Sequence, residues 1–115
     1  MHEASIAQNV IDSVLGLMEE GAVQGKVARI FLKVGKLTAV VPDNLQFMFG
    51  VLTEEGPLAG VTLEIEEVKI RARCVACDAT FEMQEEIRLI CPDCGSTDTR
   101  FETGRELLID AVEVD

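Results

Sequence analysis

The sequence predicts an α/β fold of the α+β type: a small N-terminal sheet domain with two helices and about three strands, carrying an inserted zinc-ribbon module. Three observations predict it. Apolar residues recur at helical spacing in two segments, they alternate along three others, and all four cysteines fall in two close pairs late in the chain. We expect residues 1–72 with 104–115 to form the α/β domain and residues 73–103 to form the zinc module.

The first predicted element is an amphipathic helix over residues 5–20. Its apolar residues recur every three or four positions, at Ile6, Val10, Ile11, Val14, Leu17 and Met18. Ser5 and Gln8 have the spacing of a capping box, although the helix can begin a residue or two earlier. Gly21 favours an end just after this segment.

A strand and a second helix follow. Residues 26–34 alternate, with Arg29 and Lys33 on the face opposite to Ala28, Ile30, Leu32 and Val34. Pro42 suits the first turn of a helix, and the apolar residues that follow predict a helix continuing to Leu52.

Residues 61–73 predict a long strand whose apolar face changes part-way. The apolar residues have odd numbers at first (Val61, Leu63, Ile65) and even numbers later (Val68, Ile70, Ala72). Because successive side chains point to opposite faces, this shift predicts a bulge or an exit from the sheet near Glu66 and Glu67. Residues 107–114 are apolar and β-branched enough to form the closing strand.

The four cysteines have the spacing C-x2-C-x13-C-x2-C, as Cys74, Cys77, Cys91 and Cys94. Each pair places two thiolates on one turn, and a hairpin of the intervening residues lets four sulfurs surround a tetrahedral Zn²⁺ at about 2.3 Å. Apolar residues between positions 71 and 104 are few, so we expect a structural zinc to replace a core there. Two disulfides are the alternative, but nothing in the sequence indicates export.

Charge restricts the class of partner. The chain has ten basic and 21 acidic residues, which gives a net charge of −11. This balance disfavours a nucleic-acid partner and favours basic protein surfaces or cations. The sequence has neither a signal-peptide pattern nor an apolar run of membrane-spanning length, so we expect a cytoplasmic protein without a membrane partner.

The amino terminus predicts a second metal site. His2 is the only histidine. The α-amine of Met1, the amide nitrogen of His2 and its imidazole Nδ1 can chelate one ion in two fused rings. Such nitrogen sets suit Ni(II) or Cu(II) in planar geometry. Glu3 can add a fourth ligand through its amide or its carboxylate.

These features together resemble a known family. The start Met1-His2-Glu3 before an amphipathic helix resembles the HypA-type nickel metallochaperones of hydrogenase maturation. The segments Val34-Gly35-Lys36-Leu37-Thr38, Val41-Pro42, Leu45-Gln46-Phe47, the two cysteine pairs and Gly104-Arg105-Glu106-Leu107 are similar to that family as well. The likeness covers essentially the whole chain.

The resemblance implies a role for each matching position. Met1, His2 and Glu3 would bind the transported Ni(II), and Cys74, Cys77, Cys91 and Cys94 would bind structural Zn(II). The implied partners are a nickel-handling GTPase and the precursor of the [NiFe]-hydrogenase large subunit. Some members are also implied in nickel delivery to urease. Some relatives carry a histidine beside the zinc cysteines, and this chain has none there.

Three other interpretations follow from the residues. A zinc-ribbon protein that binds nucleic acid or takes part in transcription fits the cysteines but not the charge. A rubredoxin-like iron site fits Cys91-Pro92-Asp93-Cys94-Gly95, but the two pairs are close together for it and Asp78 follows the first pair where glycine would be expected. We do not expect an enzyme, because the sequence offers no combination of nucleophile and base.

Overall fold

The computed structural model describes residues 3–84 and 86–115, which form two helices and six strands. The helices are α1 (Glu3–Glu19) and α2 (Pro42–Leu52), and a short 3₁₀ helix (Lys36–Thr38) precedes α2. The strands are β1 (Val27–Gly35), β2 (Thr62–Val68), β3 (Ile70–Cys74), β4 (Thr80–Met83), β5 (Thr99–Thr103) and β6 (Leu107–Val114). The predicted α+β fold with two helices is confirmed.

The chain divides into two compact units. One, here called the helical unit, contains residues 3–33, 40–66 and 108–115. The other, here called the cysteine unit, contains residues 34–39 and 67–107. The cysteine unit is therefore larger than the zinc module expected at residues 73–103.

The helical unit has its core on the predicted face of α1. Ile6, Ala7, Val10, Ile11 and Val14 are buried, and α2 contributes the buried residues Leu45 and Phe49. The first sheet has the strand order β2-β1-β6. On its central strand, Ile30 and Leu32 are almost completely buried, as their alternation predicts.

α1 begins two residues before Ser5, within the range that the sequence allowed. The helix begins at Glu3, so Ser5 lies inside it and does not cap it. The Gln8 side chain donates a hydrogen bond to Asp12 at 2.9 Å instead of returning to the helix start. The predicted capping box is therefore wrong, because its two residues fall one turn into the helix. Gly21, at φ 82°, lies just beyond the helix end, as expected.

The predicted long strand is two strands in two sheets. β2 ends at Val68 and β3 begins at Ile70. β2 belongs to the first sheet, and β3 is the central strand of a second sheet with the order β4-β3-β5. The change of apolar face near Glu66 and Glu67 thus marks an exit towards another structure.

The second sheet gives the cysteine unit a small core of its own. β3 pairs antiparallel with both neighbours, and Ala72 lies opposite Phe81 of β4 and Phe101 of β5. Alternate side chains reach one face, where buried Ile70, Ala72 and Met83 pack with Leu37, Phe81 and Phe101. The expectation that metal must replace a core here is therefore only partly right, since short strands collect the scattered apolar residues.

The helices described in the structure are too short or too polar to cross a membrane.

Candidate metal centre

The two cysteine pairs lie on turns with the same backbone pattern. In the first turn, the Cys74 N–H donates to the carbonyl of Ala79 at 2.8 Å, and the Asp78 N–H donates to the carbonyl of Cys74 at 2.9 Å. In the second turn, the Cys91 N–H donates to the carbonyl of Ser96 at 2.9 Å, and the Gly95 N–H donates to the carbonyl of Cys91 at 3.0 Å. Each turn therefore holds its two sulfurs on one side of a closed loop, as a zinc-ribbon knuckle does.

Both turns need a left-handed residue directly after the second cysteine. Gly95 has φ 76° and Asp78 has φ 66°. Glycine adopts this region freely, and aspartate is among the few other residues that tolerate it. The Asp78 carboxylate also accepts a hydrogen bond from the Arg73 guanidinium at 2.6 Å. The role of Arg73 was not predicted from the sequence, although the aspartate at the glycine position was the available signal.

β3 carries the first knuckle at its end, and a hydrogen bond joins this knuckle to the chain just before β5. Cys74 is the last residue of β3, and the N–H of Val75 donates to the carbonyl of Asp98, next to the start of β5, at 2.9 Å. The small core beneath the sheet thus fixes the strand that carries the first sulfur.

The four sulfurs converge. The Cys74 Sγ is 3.6 Å from the Cys94 Sγ, and the Cys77 Sγ is 3.7 Å from the Cys91 Sγ. All four sulfurs lie within 4.8 Å of one another. A regular tetrahedron with Zn–S bonds of about 2.3 Å has sulfur–sulfur edges of about 3.8 Å, so the donor set fits zinc. The alternative of two disulfides does not fit these cysteines, which are free, since a disulfide needs about 2.05 Å between its sulfurs.

Each knuckle supplies one buried and one exposed cysteine. Cys74 and Cys91 are buried, and Cys77 and Cys94 are exposed. The N–H of Cys77 donates to the Cys74 sulfur and lowers the pKa of Cys74 to about 7, even though desolvation opposes this.

The pKa values of the two exposed cysteines are raised instead. The N–H of Ala79 lowers the pKa of Cys77, but desolvation and the neighbouring sulfurs outweigh it and raise that pKa to about 12. For Cys94 the Ser96 N–H acts in the same way, and the Cys74 thiol and desolvation outweigh it to raise the pKa. Four thiolates this close repel one another, and a divalent cation between them removes the repulsion.

The predicted nickel ligands are described only in part. Met1 and His2 lie outside the described residues. Glu3 is the first residue of α1 and is half-buried. It lines a groove with Ala4 of α1 and with Asn44, Phe47 and Met48 of α2. Within residues 3–84 and 86–115, the group of converging metal-binding side chains is the four cysteines.

The fold and the centre define a class: a small α+β protein with a zinc-ribbon centre of four cysteines whose geometry suits zinc. Within this class, the family described as hydrogenase/urease nickel incorporation, metallochaperone, hypA, matches residues 1–114. The chain therefore belongs to the HypA family of metallochaperones and hydrogenase maturation factors.

Relatives agree over the full length. The chain is 38 % identical over 114 residues to the hydrogenase maturation factor HypA of Desulfosudis oleivorans, covering 99 % of this chain and 98 % of that one. It is also 38 % identical over 115 residues to the HypA of Nostoc sp. strain PCC 7120, covering 100 % of this chain and 96 % of the relative.

A solved structure shares the fold. The solution structure of the Ni metallochaperone HypA from Helicobacter pylori aligns with a TM-score of 0.66, covering 99 % of this chain and 97 % of that one. At 21 % sequence identity, this likeness supports the architecture and not the residue roles.

Proposed function

We propose that this chain binds Ni(II) through the α-amine of Met1, the amide and imidazole nitrogens of His2, and Glu3, and delivers the ion during [NiFe]-hydrogenase maturation. The observation that carries the proposal is the family match across residues 1–114. The chelate chemistry supports it, since the amine, amide and imidazole close fused five- and six-membered rings that suit planar Ni(II). The site requires a free α-amine at Met1, which an intact-mass measurement checks.

The proposal gives the four cysteines a structural Zn(II). The support is the donor geometry, with sulfur–sulfur distances of 3.6 and 3.7 Å between the two knuckles. When bound, the ion neutralises thiolate charge and joins the two knuckles. The thiols must stay reduced for this, which agrees with a cytoplasmic location.

The partners in the proposal are a nickel-handling GTPase and the precursor of the hydrogenase large subunit. Nickel must pass between proteins without release, so the acceptor must approach the amino terminus. α1 begins at Glu3, and its exposed residues Gln8, Asp12 and Glu19 are candidate contacts. Urease is the second recipient in the family description, and delivery to urease is tested with the same protein and a urease precursor.

A nickel titration tests the site. Zinc-loaded protein is titrated with Ni(II) by calorimetry and by the d–d absorption of a planar site. One added residue before Met1 converts the amine into an amide, and His2→Ala removes the imidazole, so both changes should abolish tight binding. Glu3→Gln separates the two modes of that residue: binding persists if the amide is the ligand and weakens if the carboxylate is.

Glu19→Gln is the matched control, because it removes an exposed carboxylate at the other end of the same helix. It should leave both the affinity and the spectrum unchanged, and all variants should keep their zinc. The amine-based site is wrong if the extended protein binds nickel as tightly as the native protein and with the same spectrum.

A further inference from the structure

α2 exposes apolar side chains that the fold does not bury. Phe47 is 69 % exposed and Val51 is 44 % exposed, while Leu45 and Phe49 of the same helix are buried in the core. Asn44, Phe47, Met48 and Val51, here called the α2 stripe, recur at intervals of three, four and seven residues. They therefore form one continuous strip along the helix.

The stripe opens into a groove beside α1. Asn44, Phe47 and Met48 line this groove of about 360 Å³ together with Glu3 and Ala4. Single exposed apolar residues are ordinary on a protein surface, but a stripe with helical spacing beside a groove is the arrangement that receives a second amphipathic helix.

The charge around the α2 stripe indicates which kind of partner helix would bind there. Residues 3–25 and 37–68, which contain both helices, include no lysine or arginine. The helical unit as a whole has three basic residues against twelve acidic ones, and so holds nine of the eleven net negative charges. Two of the three basic residues are engaged on the sheet, where Arg29 pairs with Glu113 at 3.6 Å and Lys33 with Asp110 at 3.9 Å.

We propose that the α2 stripe and its groove are a docking site for a basic amphipathic helix of a partner protein. Its apolar side would cover Phe47 and Val51, and its lysines or arginines would face Asp43 and Glu3. A second copy of this chain would bring acidic surface against acidic surface, and an anionic membrane would be repelled. The inference rests on the proposed delivery function for its purpose, but it does not depend on bound nickel.

The test uses full-length, zinc-loaded protein without nickel. The probe is a labelled synthetic helix with leucine along one side and lysine along the other, and its binding is followed by fluorescence anisotropy. Phe47→Ala should weaken binding at least about tenfold, as expected for a central aromatic contact. Leu89→Ala, which removes a side chain 60 % exposed in the cysteine unit, is the matched control and should change binding less than about twofold.

Further experiments distinguish a basic helix from other molecules that could bind the α2 stripe. A leucine–glutamate helix should not bind, and added salt should weaken the leucine–lysine helix. Val51→Ala replaces Phe47→Ala if circular dichroism shows that the latter has lost its helices. Three results would overturn the inference: no binding of the leucine–lysine helix, self-association in sedimentation that Phe47→Ala abolishes, or Phe47-dependent binding to phosphatidylserine vesicles. Because nickel is absent throughout, failure of the nickel site would not affect this result.

Discussion

Replacing Gly35 with alanine should destabilise the protein by a purely steric route. Gly35 has φ −75° and ψ 144°, a conformation that any residue adopts, so alanine carries no backbone penalty there. A Cβ on this residue, however, would lie 2.0 Å from the carbonyl oxygen and 2.1 Å from the carbonyl carbon of Gly104. It would also lie 2.6 Å from the backbone nitrogen of Arg105. All three atoms are backbone, so no side chain can rotate away.

The size of the effect follows from the hydrogen bonds beside the clash. Ordinary contact would require the two backbones to separate by about 1.4 Å. The Gly35 N–H donates to Glu106 O at 2.7 Å, and the Leu37 N–H donates to Gly104 O at 2.8 Å. Losing two such bonds costs about 1–3 kcal/mol, and overpacking costs about 1–3 kcal/mol more. We expect a loss of about 2–6 kcal/mol in the free energy of unfolding, a large part of the total for a small protein.

The assay is urea denaturation of zinc-loaded protein followed by circular dichroism, with amide exchange at Leu37 as the local measurement. Gly16→Ala and Gly50→Ala are controls, since a Cβ at either helical position meets nothing within 4 Å. Both should raise stability by about 0.5–1 kcal/mol. If Gly35→Ala unfolds at the same urea concentration as the native protein, with Leu37 equally protected, the predicted steric clash is wrong.

Three further outcomes are expected. Cys91→Ala should lower zinc content and speed amide exchange over residues 74–94 while the helical unit keeps its protection; unchanged exchange in the module would show that zinc is not structural there. Gly95→Ala should lower the free energy of unfolding, measured by thermal denaturation, by about 1 kcal/mol, because alanine is strained at a φ of 76°. Asp78→Gly should lower it less, since glycine adopts a positive φ freely and only an exposed ion pair is lost. Equal losses would contradict the explanation by backbone strain. Asp12→Lys should weaken binding to the GTPase in a pull-down and leave nickel affinity unchanged, whereas an unaffected complex would place docking away from α1.

Periodicity predicted the long elements because their burial is one-sided. The five buried residues of α1 all fall on one helical face, and the parity change between Leu63 and Ile70 located the break between β2 and β3. β4 and β5 were missed, since they have four and five residues and are mostly half-buried or exposed. Such short strands acquire an inner face only once β3 lies between them.

The sequence predicted the cysteine ligands of the candidate centre but not their burial. Cysteine spacing identified all four converging thiols, because two residues between ligands is the length of one turn. The spacing could not reveal which sulfurs are buried, since that depends on how the strands around each knuckle pack. Met1 and His2 lie outside the described residues, so the nickel set remains a prediction from chemistry and family membership.

In the metal-free arrangement of the two knuckles, the cysteine with the lowered pKa is buried, and the exposed cysteines have raised pKa values. Alkylating agents and oxidants attack thiolates that they can reach. The sulfur with the pKa of about 7, Cys74, is buried. The two exposed cysteines, Cys77 and Cys94, have raised pKa values, which favours their less reactive thiol form. While the knuckles keep this arrangement before a metal ion binds, we expect peroxide oxidation and mixed-disulfide formation to be slow at these three cysteines.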